Sequence, residues 1–173
     1  MRYWDFRESG KPRYDYIAYT DGSYLVPKNF GAAACIVLDG ECSGILYSWS
    51  EVSRYSTSNR QEIAGIIHAL LHTPPGSSVL VRSDSENGIA LLTGQVRSKK
   101  DWDLVQLYRK VKQERALRVT LEWIRSHGGD PWNEHVDNLC NEALDLFESD
   151  GTLVREGVDP DALFAYICRT ETF

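Results

Sequence analysis

The sequence predicts an α/β fold: a five-stranded mixed sheet, three antiparallel strands followed by parallel ones, flanked by helices. Two observations carry this expectation. Three β-like runs joined by short turns open the chain, and helical stretches then separate two further β-like runs from one another and from a final amphipathic segment. Helical crossovers force the later strands to join in parallel and with right-handed connections, whereas the short turns at the start allow antiparallel pairing.

Each element has its own signal. In "DYIAYTDGSY", residues 15 to 24, Ile17 and Tyr19 alternate with Ala18 and Thr20 before the run meets Asp21 and Gly22. "NFGAAACIVLDG" and "CSGILYSWSEV" follow, divided by Asp39, Gly40 and Glu41, which is hairpin punctuation. Ser56, Thr57 and Ser58 are N-cap candidates for "NRQEIAGIIHALLHT", where Ile63, Ile66, Ile67, Leu70 and Leu71 recur at helical spacing. "TPPG" stops that helix. A strand from about 78 to 84 leads into a helical stretch from Glu86 to Leu92 and a break at Gly94. An amphipathic helix then runs through Trp102, Leu104, Val105, Leu107, Tyr108 and Val111. "RVTLEWIRS" alternates as a strand, and "WNEHVDNLCNEALDLF" sets Val136, Leu139, Cys140, Ala143, Leu144 and Phe147 on one helical face.

Composition limits the class. At 173 residues, 42% hydrophobic and 25% charged, the chain suits one soluble domain. We divide it into an N-terminal segment at 1–14, a main domain at 15–148 and a C-terminal extension at 149–173. No run approaches the roughly 20 apolar residues needed to span a bilayer, and the first residues lack the apolar core of a signal peptide. The expected compartment is the cytoplasm, with no membrane partner and a monomer by default. Cys35, Cys42, Cys140 and Cys168 lack C-x-x-C spacing and read as reduced thiols rather than a disulfide scaffold or structural zinc site.

A net charge of −6 argues against a protein held to nucleic acid by bulk charge alone. Residues 97 to 118 nevertheless carry Arg97, Lys99, Lys100, Arg109, Lys110, Lys112, Arg115 and Arg118 against three acids. Two readings stand for this run, a solvated helix face and a phosphate-binding edge.

The carboxylates are more telling. A crossover helix returns the fourth strand beside the first, so Asp21 and Asp84 should sit together at the carboxyl ends of adjacent parallel strands, where open α/β sheets place ligand crevices. Adjacent carboxylates repel, and a divalent cation is the natural compensation. Glu62, in the first turn of its helix, and Asp137, in the last helix, are further candidates. His68 and His72 have the i, i+4 spacing of a metal pair but fall opposite the Ile63, Ile67 and Leu70 face, and we read them as solvated. His135 receives no role.

Four elements in order, Tyr19-Thr20-Asp21-Gly22-Ser23, Thr57-Ser58-Asn59-Arg60-Gln61-Glu62, Ser83-Asp84-Ser85 and the run from His127 through Asn133 to Asp137, resemble type 1 ribonuclease H over residues 15 to 148. The resemblance implies the RNase H-like fold and an endonuclease that cuts the RNA strand of an RNA·DNA hybrid with two Mg2+ ions, which Mn2+ can replace, leaving 5′-phosphate and 3′-hydroxyl ends. It implies that Asp21, Glu62, Asp84 and Asp137 bind the metal and that His127 assists proton transfer or product departure. Hard carboxylate oxygens suit such ions. It further implies that Ser23, Ser58, Asn59, Gln61, Ser85 and Asn133 contact substrate, with 2′-hydroxyls as the feature to be read. Thr57 would face a phosphate; Arg60 would either contact substrate or be structural. Lys99, Lys100 and Trp102 would cradle the DNA strand.

The sequence departs from the family in three places. "YLVPKNFG" lacks repeated glycines, Glu86 stands where a neutral residue is common, and the interval from Asp84 to Asp137 is too short for a long basic handle. Two other classes stay open: a catalytically weak domain that binds hybrid or double-stranded RNA, and another metal nuclease of the same fold. Retention of all four carboxylates argues against the first. Asp21 followed by Gly22 and Ser23, rather than by the D-x-E of proofreading exonucleases, argues against one form of the second.

Overall fold

The computed structural model describes residue 10, residues 12 to 150 and, as backbone, residues 154 to 156. Its elements are β1 (Tyr16–Leu25), β2 (Phe30–Asp39), β3 (Ile45–Arg54), α1 (Ser58–Leu71), β4 (Ser78–Ser83), α2 (Glu86–Leu92), α3 (Trp102–Glu114), β5 (Arg118–Trp123), α4 (Pro131–Asp150) and β6 (Val154–Glu156). The sheet order is β5-β4-β1-β2-β3-β6. β1, β2 and β3 form the antiparallel meander, and β4 and β5 add in parallel on the other flank, as expected. One strand was not foreseen: β6, in the segment set aside as an extension, pairs parallel to β3 through Val52, Ser53 and Arg54. Three residues are too few for a period-2 signal, so only the pairing reveals it.

The β1–β4 register decides the site. Thr20 stands opposite Ser83, so Asp21 and Asp84 emerge side by side. The other end of the pair is pinned by Asp15, whose Oδ2 accepts from the Ser78 backbone N–H at 2.8 Å and from the Ser78 hydroxyl at 3.0 Å. A slip of one residue would break this clasp and turn every side chain to the opposite face.

Alternation along the strands builds two cores. Ala18, Cys35, Val37, Val79 and Val81 pack beneath α1, α2 and α3. Ile17, Tyr19, Ala34, Ile36 and Leu80 meet Val136, Cys140, Ala143 and Leu144 of α4. β2 is covered on both faces, which is why "FGAAACIVL" is almost continuously apolar.

The histidine expectation is corrected. His68 is 1% exposed, with its ring stacked on Trp49 at 3.5 Å, and His72 stacks on Tyr47 at 3.6 Å. α1 is buried from residue 63 to residue 71, so the face opposite its aliphatic stripe meets the aromatic residues of β3 rather than water. Of the cysteines, Cys35 and Cys140 are buried and Cys42 is partly buried, all as free thiols; Cys168 lies outside the described residues.

Candidate active site

Asp21, at 7% exposure, projects from β1 where that strand passes under the first turn of α1. The passage is close: a Cβ on Gly22 would lie 2.4 Å from the Glu62 backbone nitrogen and 2.5 Å from the Gln61 carbonyl carbon. Only glycine admits this approach, so Gly22 is what lets Glu62 stand beside Asp21. Gly65 repeats the contact one turn on, where a Cβ would lie 3.0 Å from the Ala34 carbonyl oxygen and 3.1 Å from that of Asp21. Thr57 caps α1 by accepting from the Arg60 backbone N–H at 3.1 Å, and this fixes where the helix begins.

Asp21, Glu62 and Asp84 each offer an oxygen, and these atoms all lie within 4.8 Å of one another. Asp137 approaches from α4, near enough for its carboxyl to add to the upward push on Asp21. Burial first, and then the neighbouring Asp84 charge, pushes Asp21 up to about 8. Burial and the charges of Asp21 and Asp84 push Glu62 up to about 10, against the opposing effect of the Gly22 backbone N–H. Burial also raises Asp84, partly offset by a hydrogen bond from Ser126 and by nearby His127. Glu62 Oε2 is buried without a hydrogen-bond partner. An orphaned carboxylate oxygen beside two more carboxylates is a donor set suited to hard divalent cations.

His127 follows β5 in a loop with a left-handed backbone, at φ 52°, and lies near enough to Asp84 to act on its carboxyl. The structure therefore brings together all five residues proposed for the chemistry.

The proposed substrate residues divide. Ser58 and Thr57 are exposed at the N-terminus of α1. Asn59 is tied down, donating to Asp101 at 2.9 Å and accepting from Asn87 at 3.1 Å. Ser85 caps α2 by accepting from Gly88 N–H. Gln61 is fully buried, its Oε1 accepting from the Ser56 hydroxyl at 2.9 Å, because it lies on the inner side of a helix covered by the sheet. Asn133 is also buried, at 4% exposure, and the Ser23 hydroxyl oxygen is enclosed. Arg60 resolves toward its structural alternative, gripping both oxygens of Asp103 at 2.9 and 2.7 Å and the Lys100 carbonyl at 2.8 Å. That fork ties α1 to the start of α3.

Lys99 and Lys100 are exposed in the α2–α3 connection. Lys99, Arg97, Trp102 and Arg109 line a groove of about 490 Å3. Trp102 is 42% exposed, with the Arg109 guanidinium 5.2 Å from its ring centre.

Three neighbours of the carboxylates escaped the sequence reading. The Trp123 indole N–H donates to the Asp84 carbonyl at 3.2 Å. Ser126 bonds the Asp84 carboxyl. The buried Cys140 thiol, one turn beyond Asp137, lies near the carboxylates of Asp21, Glu62 and Asp137, whose charges add to burial in raising it. The signal for the first two was the parallel pairing itself, because Ser83 stands opposite Trp123 at the strand ends.

Residues 13–145 match the profile of the RNase H family. A protein named ribonuclease H from Anaeromyxobacter dehalogenans is 32% identical over 146 residues, covering 74% of this chain and 79% of that one. A ribonuclease HI from Synechocystis is 29% identical over 154 residues, covering 80% and 91%. Among solved structures, LC11-RNase H1 in complex with an RNA/DNA hybrid superposes with a TM-score of 0.65 at 24% identity, covering 76% of this chain and 97% of that one. The N-terminal RNase H domain of rv2228c from Mycobacterium tuberculosis gives 0.64 at 19%, covering 79% and 98%. With the carboxylates gathered where β1, α1, β4 and α4 converge and the profile spanning those same elements, the chain belongs to the ribonuclease H family.

Proposed function

We propose that this protein hydrolyses the RNA strand of RNA·DNA hybrids internally by two-metal catalysis, leaving 5′-phosphate and 3′-hydroxyl ends, with residues 15–148 as its catalytic domain. The observation that carries this reading is the convergence of Asp21, Glu62 and Asp84 on oxygens within 4.8 Å of one another, with Asp137 of α4 beside Asp21. These four carboxylates would hold Mg2+, or Mn2+ in its place. When bound there, the ions supply Lewis-acid activation of water and of the departing oxygen. Asp21, which feels the charges of both Asp84 and Asp137, lies at the centre of the set that would hold the ions. His127 is free of the cluster's own bonding and serves as a proton acceptor or donor at the edge of the cleft. Ser58, Asn59 and Ser85, at the N-termini of α1 and α2, stand where 2′-hydroxyls of the RNA strand would be read.

The assay that tests this compares RNA·DNA, double-stranded RNA, double-stranded DNA and single strands, with Mg2+ and with EDTA. Internal cutting of the RNA strand, abolished by EDTA, is expected. Equal cutting of double-stranded DNA would overturn the substrate, and EDTA-resistant cutting would overturn the metal chemistry.

The same reading assigns the DNA strand to the basic groove beside Trp102. Lys99→Glu combined with Lys100→Glu should raise KM for the hybrid and leave saturated kcat nearly unchanged, since neither residue touches the carboxylates. Each lysine that neutralises a phosphate contributes roughly 0.7 to 0.9 to the slope of log affinity against log salt, so the double variant should show a flatter dependence. Superimposable salt slopes for the double variant and the unaltered protein would show the run to be a solvated helix face.

A further inference from the structure

Directly behind the carboxylates, on the same face of the sheet, lies a second row of polar side chains. Alternation along a strand places Tyr19 with Asp21 and Arg82 with Asp84. Both are almost completely enclosed, Tyr19 at 2% and Arg82 at 1% exposure, amid an otherwise apolar core facing α4. Arg82 Nε donates to Glu122 Oε2 on β5 at 2.7 Å, and Arg82 Nη1 donates to the Tyr19 hydroxyl at 2.9 Å. The Tyr19 hydroxyl donates in turn to Asp130 Oδ2 at 2.8 Å. Asp130 Oδ1 accepts from the Trp132 backbone N–H at 3.0 Å, and its carbonyl accepts from the Glu134 N–H at 3.1 Å, so this residue caps α4.

The chain of bonds thus runs from β5 through β4 and β1 to the one residue that joins the His127 loop to the helix carrying Asp137. Gly128, Gly129, Asp130, Pro131 and Trp132 border a cavity of about 310 Å3 that Tyr19 and Arg82 also line. Left-handed backbone at His127 and Gly129, at φ 52° and 86°, leaves the loop conformation dependent on what anchors its end.

We propose that Tyr19, Arg82 and Asp130 are positioning residues, a buried latch that sets His127 and the first turns of α4 against the carboxylates of β1 and β4. The proposal rests on the assignment of His127 and Asp137 to the active site. An isolated Arg82 at this depth would be costly; completing its bonds through Tyr19 and Glu122 makes the network rigid instead. The latch holds geometry and does not touch the substrate.

Tyr19→Phe removes one oxygen and almost no volume, so the fold survives. In the full chain with Mg2+, kcat on the hybrid should fall about tenfold with KM kept within about twofold, the scale for loss of an outer partner that orients active-site groups. Amide exchange in residues 128 to 132, measured without metal, should quicken about fivefold, as expected for loss of one hydrogen bond from a locally opening segment. Asp130→Asn, whose single amide oxygen can keep the Tyr19 bond but not the Trp132 N–H bond as well, should be clearly milder than Asp130→Ala in both measurements, and Asp130→Ala should match or exceed Tyr19→Phe.

A Tyr19→Phe protein with unchanged loop exchange, or with unchanged kcat, overturns the latch, as does Asp130→Asn as impaired as Asp130→Ala. His127→Ala, measured in parallel, separates this from the site assignment. If it alone leaves turnover intact, His127 leaves the active site, and the latch still stands or falls on the exchange and turnover of Tyr19→Phe.

Discussion

Asp21→Asn and Asp84→Asn should each reduce hybrid cleavage by at least about 10³-fold at saturating Mg2+, the scale for removing a principal electrostatic stabiliser. Each change removes a charge from a set of oxygens lying within 4.8 Å of one another and replaces it with an amide of nearly the same volume. The fold should be retained, because Asp21 is packed among side chains that an asparagine leaves in place. Single-turnover rates with circular dichroism on the same samples check both halves of the expectation. Near-normal rates in both variants would place the chemistry elsewhere on the molecule. His127→Ala should cost less and should slow steady-state turnover more than the single-turnover rate.

Without divalent cations, the protein should lose stability as pH rises from 6.5 to 8.5. In the folded state Asp21 is pushed up to about 8 and Glu62 up to about 10, so both hold protons that the unfolded chain has already released above about pH 4. A proton excess in the folded state means that stability is full below the unfolded values and is lost as pH climbs through the folded ones. His72 works in the opposite direction in a lower window. Burial, then the Arg115 charge, lowers it to about 4, so its stabilising effect is present above about pH 6.5 and is lost as pH falls toward 4. From pH 6.5 to about 8 the slope is mainly the carboxylates', and nearer 8.5 the Cys35 and Cys140 thiols, pushed up by burial, add to it in the same direction. Mg2+ should reverse it, since an ion that binds only the folded, deprotonated cluster adds stability by mass action. Asp21→Asn, which takes a charge away from Glu62 and Asp84, should flatten the metal-free slope and raise the melting temperature at pH 8.5. Melting curves in EDTA and in Mg2+ across this range test it; a flat or rising metal-free curve would contradict the clustering of charge on which the proposed chemistry depends.

Much of the site was legible because its parts are local. Asp84 follows the last residue of β4, and Asp21 stands one residue past the last β1 residue paired with β4, although β1 itself runs on to Leu25; a right-handed crossover through α1 leaves few places for β4 except beside β1. The adjacency of Asp21 and Asp84 follows from that handedness. Gly22 in "TDGS" reads as a turn residue, whereas its role is to admit the backbone of α1, a contact between residues 40 positions apart. The same distance hid the roles of other residues. Arg60 pairs with Asp103 and Lys100, and Trp123 reaches Asp84 across strands joined by two helices.

By itself, the sequence determined the order and type of the main elements and, through four short motifs, the family and its carboxylates. These are properties of side-chain period and of motifs within single elements. Only the tertiary structure decided that His68 is enclosed against Trp49, that Gln61 faces inward, that β6 extends the sheet and that Tyr19 holds Asp130. A helix wheel distinguishes faces but not what covers them. Coverage is set by strand register and helix packing among residues far apart in the chain, and there the amphipathic pattern carries no information.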